Sequence, residues 1–365
     1  MNSKASQVRS LFLALAILFL VAVSVPALQS PFAAVGEYRI IAGVANHPGQ
    51  SPAATAPATV NKPAEQNRNP SNVRSKISIY DLDSKSIRVV YTADKLWEAP
   101  NWSPDGKYLL ANSGGALYKF VLDASGKAQP EKLALDSGYE CNNDHGLTLD
   151  GKLLAFSARH SASKDSQVYV ASSDGTNPRL LTTNSPSYFH GWSPDGKWLA
   201  FVGKRGDHFN IFRIPVGGGN EERLTSSPVN DDGPDYSPDG KWIYINSNRN
   251  GWDIWRFPAE GAGPGDNKAE RITSDELEDW FPHPSPDGKW LVFLSFPKGT
   301  PGHDVKTNVQ LRMMPMPQSA PHAAAADPGS IQSLAQIFGG QGTINVNSWS
   351  TDSRKFAFVS YEVLP

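Results

Sequence analysis

Residues 190–197 read His-Gly-Trp-Ser-Pro-Asp-Gly-Lys, and versions of this phrase recur along the chain. They stand at residues 101–107, 145–152, 235–241 and 283–289, with a degenerate sixth copy at 348–355. Pro presets φ for the first turn position, Asp can bond the backbone ahead of it, and Gly accepts the positive φ that closes a tight hairpin. The phrase therefore predicts six tight connections between antiparallel strands.

The spacing of the copies indicates the architecture. The Ser or Thr before each turn is residue 103, 148, 193, 237, 285 or 350, and the intervals are 45, 45, 44, 48 and 65 residues. One four-stranded propeller blade occupies a similar length of chain, roughly 40 to 50 residues. Apolar runs of strand length follow the turns, as at residues 198–202 and 290–294. We therefore predict an all-β fold, a six-bladed β-propeller.

The two ends of the repeat region complement each other. Residues 76–80 and 86–91 have the pattern of third and fourth strands, without a first and second strand before them. Residues 344–361 have the pattern of a first and second strand only. Together they predict a last blade built from both termini, which closes the ring and leaves no open sheet edge.

The phrase Trp-Ser-Pro-Asp-Gly-Lys, the apolar strand after it and the Arg-Leu-Thr ending at residues 223–225 resemble the TolB-type β-propeller family. The resemblance covers residues 75–365 and implies the propeller fold. Such propellers serve as protein-binding platforms, as domains attached to serine peptidases and as lyase scaffolds, so the fold alone does not specify the function. Complete TolB proteins also carry an α/β domain ahead of the propeller, and we expect that domain to be absent here.

Two segments precede the repeats. Lys4 and Arg9 stand before an apolar run over residues 11–25, and small residues follow it, which predicts a signal peptide over residues 1–27. Residues 28–74 are rich in Pro, Ala, Asn, Gln and Ser, which predicts a flexible tether before a propeller at 75–365. We expect an exported protein, periplasmic or extracellular, with no transmembrane span after signal cleavage. The alternative is an uncleaved membrane anchor.

Composition excludes one class of partner. The chain has 365 residues, with 34 Lys and Arg against 36 Asp and Glu, for a formal net charge of −2. Binding to a nucleic-acid backbone requires a basic surface, so we expect no nucleic-acid partner. Cys141 is the only cysteine, and an intramolecular disulfide is therefore impossible.

Polar residues concentrate just before each turn, where the innermost strand of a blade lines the central channel. Imidazoles and carboxylates that converge there from different blades could hold a divalent metal ion, and His145, His190 and His283 are the predicted metal ligands. Oligogalacturonate lyases are also β-propellers that hold a metal with histidines at a channel mouth, although their local motifs have no match in this sequence. The alternative is a polar channel without a ligand. The predicted ligand-binding residues are Asn101, His145, His190, Asp232, Asp235, His283 and Asn347, with His303 from an insertion in blade 5.

Three functions fit this pattern. The favoured one is an exported TolB-like binding module that engages an envelope protein, a glycan or another ligand through its faces or its channel mouth. The second is a metal-assisted lyase on acidic polysaccharide, in which the cation neutralises a uronate and acidifies its α-proton. The third is a solute or glycan sensor without chemistry. No catalytic residue is identified, and residues 191–195 lack the second Gly of a hydrolase Gly-x-Ser-x-Gly elbow.

Overall fold

The structure is a computed structural model that describes residues 72–123, 125–161, 163–317 and 328–365. The predicted signal peptide and almost all of the predicted tether lie outside the described residues, and both remain predictions. Within the described ranges the regular secondary structure is almost entirely β-strand. No helix in this part of the chain is long and apolar enough to cross a membrane.

The chain forms six antiparallel sheets arranged as blades, as predicted. It begins with two strands of the closing blade, β1 (Val73–Asp81) and β2 (Ser86–Ala93), and then runs through five four-stranded blades. Blade 1 comprises β3 (Glu98–Trp102), β4 (Tyr108–Ser113), β5 (Ala116–Leu122) and β6 (Ala128–Lys132). Blade 2 comprises β7 (Tyr139–Leu147), β8 (Leu153–His160), β9 (Gln167–Ser172) and β10 (Arg179–Leu180). Blade 3 comprises β11 (Ser187–Trp192), β12 (Trp198–Lys204), β13 (Phe209–Pro215) and β14 (Glu222–Arg223).

The remaining blades complete the ring. Blade 4 comprises β15 (Asp231–Tyr236), β16 (Trp242–Ser247), β17 (Asp253–Pro258) and β18 (Glu270–Arg271). Blade 5 comprises β19 (Glu278–Pro284), β20 (Trp290–Phe296), β21 (Thr307–Pro315) and β22 (Gln332–Gly339). The last strand, β23 (Lys355–Val363), returns to blade 6, and the described residues also contain three 3₁₀ turns, Pro264–Asp266, Pro328–Ser330 and Gln341–Thr343.

Six equivalent hydrogen-bonded turns connect the first and second strands. In each, the Ser or Thr hydroxyl donates to the Asp two residues later, over 2.6 to 2.7 Å. The same hydroxyl oxygen accepts from the backbone N–H five residues on, which in Ser237 is the N–H of Trp242 at 3.0 Å. Because each hydroxyl bonds both the turn and the strand after it, the repeated phrase sets the register of the first hairpin in every blade.

The apolar core lies between neighbouring blades. Ile77 and Val359 of blade 6, for example, pack in one buried cluster with Leu109 and Phe120 of blade 1, and five similar clusters fill the other blade interfaces. Burial of these side chains is what holds one sheet against the next, since adjacent blades share no strand pairing.

Closure by both termini is confirmed. β1 pairs with β23 over nine residues, from Val73 opposite Val363 to Asp81 opposite Lys355. β1 starts three residues earlier than the predicted strand at 76–80.

The predicted first strand of blade 6 is reduced to an isolated bridge between Trp349 and Phe356, so this sheet has three full strands rather than four. The polar groups of residues 344–347 bond to other blades instead of continuing the ladder, as described below.

Candidate functional site

Every full inner strand has a β-bulge before its turn, and the bulges determine what faces the channel. In blades 1, 4 and 5 a residue with positive φ precedes a proline inside the bulge: Ala99 (52°), Gly233 (61°) and Phe281 (55°). His283 is one residue closer to the Ser of its turn than His145 and His190 are to theirs, which predicts that its side chain faces the opposite way. His283 nevertheless contacts groups in the channel, because its Nδ1 atom lies 3.1 Å from Asp235 Oδ2 and its Nε2 atom donates to the Ile344 carbonyl.

Residues 344–347, which we call the crossing segment, run from blade 6 into the channel. The Ile344 carbonyl accepts a hydrogen bond from His283 Nε2 at 2.5 Å. The Asn345 carbonyl lies 3.3 Å from His190 Nδ1. Blade 3 is opposite blade 6 in a ring of six, so the contact with His190 spans the channel. The crossing segment therefore separates the side of the channel near the turns from the side near the blade 5 insertion.

His190 lies between two carboxylates. Its Nε2 atom is 3.3 Å from Asp232 Oδ1 and 3.9 Å from Asp144 Oδ1, and Asn345 Nδ2 donates to Asp144 Oδ1 at 2.6 Å. Burial raises the pKa of Asp144 to about 6. Burial also opposes the charge of His190, but the hydrogen bond to Asp232 and the charge of Asp144 outweigh it and raise the pKa of His190. Both pKa shifts favour the protonated forms, that of His190 beside Asp232 and that of the Asp144 carboxyl.

A second polar group joins blades 4, 5 and 6. His283 Nδ1 lies 3.1 Å from Asp235 Oδ2, and Asn347 Nδ2 donates to the same oxygen at 2.8 Å. Asn347 Nδ2 also donates to the Pro284 carbonyl. Asp235 thus holds the crossing segment and His283 together, and it lines the cavity described below.

The third polar group is a pair on blades 1 and 2. Asn101 Nδ2 lies 3.0 Å from His145 Nδ1 and donates to the Ala99 and His145 carbonyls, both at 3.2 Å. His145 is completely buried, and burial lowers its pKa to about 3, so the ring is neutral at ordinary pH. Among the described residues, His145 Nε2 has no hydrogen-bond partner.

The blade 5 insertion lies over the mouth opposite the turns. His303 packs on Trp280 with ring centroids 4.4 Å apart, and its Nε2 atom is 3.7 Å from Asp232 Oδ2. Its carbonyl accepts from the Gln341 backbone N–H at 2.9 Å. Burial lowers the pKa of His303, against the opposing effect of Asp232. His303 therefore lies over the channel with its side chain 25% exposed.

On the turn side the channel opens into a cavity of about 250 Å³, which we call the funnel. Its floor contains polar residues of all three groups, including Asn101, His145, His190 and Asp235. Above the floor stands a ring formed by the residue before each turn Ser or Thr: Trp102, Leu147, Trp192, Tyr236, Pro284 and Trp349. The rim is formed by the residue after it: Pro104, Leu149, Pro194, Pro238, Pro286 and Thr351.

The eight predicted ligand-binding residues all lie along the channel, but in three separate groups. His145, His190 and His283 have different partners, and none of the three is hydrogen-bonded to another. In the described part of the chain, no three or more His, Cys, Asp or Glu side chains are grouped to hold a metal ion. The three-histidine metal site stays a prediction, without support from this geometry.

Sequence reasoning missed the two apolar rings as a surface. The prolines of the phrase are explained there by turn geometry alone. The available signal was their identical place in every repeat, because equivalent positions of a closed ring converge on its axis.

Comparisons with known proteins agree with this architecture. The TolB beta propeller domain matches residues 189–313. Atu1656, an uncharacterized protein of Agrobacterium fabrum, is 45% identical over 293 residues, which are 80% of this chain and 93% of that protein. A solved structure from Agrobacterium tumefaciens, provisionally assigned as a TolB, has a TM-score of 0.73 and 43% identity, over 80% of this chain and 99% of that one.

The TolB of Acinetobacter baumannii shares the fold, with a TM-score of 0.50 and 18% identity over 80% of this chain and 65% of that one. A closed six-bladed ring with these turns defines a β-propeller of the TolB type. The chain belongs to the TolB-like β-propeller family.

Proposed function

We propose that the chain is an exported binding module that receives part of an envelope protein in the funnel. The observation that carries the proposal is the funnel itself, which is open to solvent and has two rings of six residues above a small polar floor. All members of the rings are apolar or aromatic except Thr351. Binding sites in proteins are typically concave and apolar with a few polar groups that orient the ligand.

The dimensions and rim favour a protein side chain or short segment over a glycan. A volume of about 250 Å³ is below the range of roughly 300 to 1,000 Å³ usual for small-molecule sites. Leu149 takes the place of the rim proline in blade 2 and is 60% exposed, so it presents an apolar side chain to solvent at the edge of the funnel. Apolar and aromatic residues at the centre of a contact usually contribute most of the affinity between proteins. No observation on the described residues favours the lyase.

A matched pair of leucines tests the proposal. A photo-crosslinking residue is placed at Leu149 on the rim or at Leu180, which is 45% exposed on β10 of the same blade, away from the funnel. We expect a protein adduct in the producing cell from position 149 and none from position 180. The adduct is identified by mass spectrometry, and its affinity for the purified propeller is measured.

Substitution then separates specific from incidental contact. L149K should weaken binding of that protein at least tenfold, and L180K should leave it unchanged. Equal adducts from both positions, or equal affinities of both variants, would refute binding in the funnel. If the adduct at position 149 contains a glycan and no protein, the partner is a glycan and not an envelope protein.

Export rests on the charged start and apolar run of residues 1–27. We expect the mature protein to begin near Ala27, which mass measurement of protein from the producing cell checks. Intact Met1 in a membrane fraction would mean an anchor instead.

A further inference from the structure

Two further cavities adjoin the funnel on the turn side. One, of about 290 Å³, lies between the turns of blades 1 and 2 and shares Pro104 and Leu149 with the funnel. The other, of about 330 Å³, lies between the turns of blades 4 and 5 and shares Pro238 and Pro286 with the funnel. In a ring of six blades these two gaps are opposite each other. The three cavities therefore form one continuous track across the turn side.

The cavity between blades 1 and 2, which we call the acidic groove, has a carboxylate on each wall. Asp105 and Asp150 line it, and none of the described residues that line it is Lys or Arg. Hydrogen bonds from the turn hydroxyls lower the pKa of both carboxyl groups, so both are charged at neutral pH. Lys107 and Lys152 lie 3.1 and 3.0 Å from these carboxylates, but their side chains are 78% exposed and such ion pairs are weak. The acidic groove therefore favours a positively charged side chain.

The cavity between blades 4 and 5, which we call the aromatic groove, offers more apolar surface. Trp242 and Met316 line it together with the two rim prolines. Arg256 also lines it, beside the carboxylates of the two turns, and its guanidinium is stacked on Trp242, 4.1 Å from the ring centroid. Because this groove contains charges of both signs and an aromatic wall, it favours an apolar or aromatic side chain.

The arrangement of the three cavities suits a single extended chain. None of them exceeds about 330 Å³, which is at the low end of the usual range for a small-molecule site. An extended peptide advances about 3.3 Å per residue, so residues spaced along one chain can reach cavities that lie in a line.

We propose that the partner segment lies extended across the turn side, with a basic residue in the acidic groove, an apolar residue in the funnel and an apolar or aromatic residue in the aromatic groove. This inference rests on the proposed function and adds the conformation and the chemistry of the segment. It also predicts the order of the three residues along the partner chain.

Photo-crosslinking in the producing cell tests this path. The crosslinking residue replaces Tyr108 in the acidic groove, Leu149 on the rim or Met316 in the aromatic groove. Trp198 and Val216, at the corresponding positions of blade 3 and outside all three cavities, are the controls. We expect adducts from the first three positions to fall within one stretch of about 15 residues of the partner, in that order or its reverse, and none from the controls.

The possible outcomes separate this inference from the proposed function. Adducts in distant parts of the partner sequence would mean that a folded surface meets the turn side. Adducts from the two control positions as strong as those from the grooves would mean that the segment follows no path. Either result overturns the inference and leaves the proposed function standing, whereas the absence of a protein adduct from position 149 refutes both.

A matched pair of turn variants tests the acidic groove with a synthetic peptide of the crosslinked stretch. D150N removes one charge but retains an oxygen that accepts from the Thr148 hydroxyl and the Lys152 N–H. D195N makes the same change in blade 3, where Asp195 lines none of the three cavities. We expect D150N to weaken peptide binding about fivefold or more at low salt, and D195N to weaken it by less than about twofold.

Salt dependence gives a second measurement that does not rely on the stability of D150N. The affinity of the parent protein for the peptide should fall as the NaCl concentration rises from 25 to 250 mM, because salt screens exposed charges. The affinity of D150N should fall less. Unchanged affinity in D150N, or a parent affinity that does not respond to salt, overturns the assignment of a basic residue to the acidic groove.

Discussion

Asp144 illustrates how the channel affects stability at the scale of one residue. It is 1% exposed, two asparagine side chains donate to it, and burial raises its pKa to about 6 from an ordinary value of 3.8. The folded protein therefore holds a proton on this carboxyl more tightly than the unfolded chain does. By linkage, the Asp144 contribution to the free energy of unfolding falls as pH rises from about 4 to about 6.

Asp144→Asn should remove this pH dependence, because asparagine does not titrate. Relative to the parent, the free energy of unfolding of D144N should rise between pH 4 and 6, by on the order of 2–3 kcal/mol for a shift of about two pKa units. The variant loses one hydrogen bond at every pH, since its amide nitrogen meets one of the two asparagine donors. Denaturant unfolding at several pH values measures both effects.

D207N is the matched control, since Asp207 is exposed in the loop between β12 and β13. Its pH profile should follow the parent. Parallel profiles for D144N and the parent would mean that Asp144 stays ionised in the folded state.

The channel residues could be predicted from the sequence, but their pairing could not. The repeat register brings Asn101, His145 and Asp235 to the axis, and the structure has them there. The bulges then determine which side chains meet. The bulge position with positive φ is occupied by Gly233 in blade 4 and by Phe281 in blade 5. The residue with positive φ has no fixed type, and the local signal that separates blades 2 and 5 is the proline at residue 282, before His283, which blade 2 lacks before His145.

At the scale of the element, the turn hydroxyl is the central group. Ser237 is buried, donates to Asp239 over 2.6 Å and accepts from the Trp242 N–H. Lys241 in the same turn has a side chain that is 71% exposed and lies 3.3 Å from Asp239 Oδ2.

Ser237→Ala should lower the free energy of unfolding by about 1–2 kcal/mol, because it leaves the Trp242 N–H without its acceptor and removes a bond to a carboxylate. K241A should cost less than about 0.5 kcal/mol, since exposed ion pairs contribute little. Chemical denaturation of both variants makes the comparison. A larger loss for K241A than for S237A would show that the surface pair, and not the hydroxyl, stabilises the turn.

Blade 6 shows where element prediction from the sequence ends. Residues 344–361 carry a degenerate form of the turn phrase of the other blades, which predicts a first strand there. Asn345 and Asn347 instead bond to Asp144 and Asp235 on other blades. Hydrogen bonds to side chains from distant parts of the chain compete with local strand pairing. The sequence pattern of a single segment carries no information about those distant partners.

At the scale of the whole molecule, the ring depends on β23. Removal of residues 347–365 deletes the partner of β1 and part of the crossing segment, so it exposes the apolar clusters on both sides of blade 6. We expect global loss of structure, seen as loss of the cooperative thermal transition.

Removal of residues 364 and 365 alone is the control. It deletes the Leu364 N–H bond to the Asn72 carbonyl but no β1–β23 pair, and it should change the melting temperature by only a few degrees. A longer truncation that still melts cooperatively at the parent temperature would contradict closure through β23.

The arrangement of the two terminal strands also has a mechanical consequence. Val73 pairs with Val363 at one end of the β1–β23 ladder, and the described chain enters and leaves the ring at that same end. A force that pulls residue 72 away from residue 364 therefore acts on one pair of this ladder at a time, because antiparallel strands loaded at adjacent ends separate by peeling and not by sliding. Tension on the ends of the propeller would open blade 6 first, while the other five blades, whose strands are continuous in the chain, carry no load.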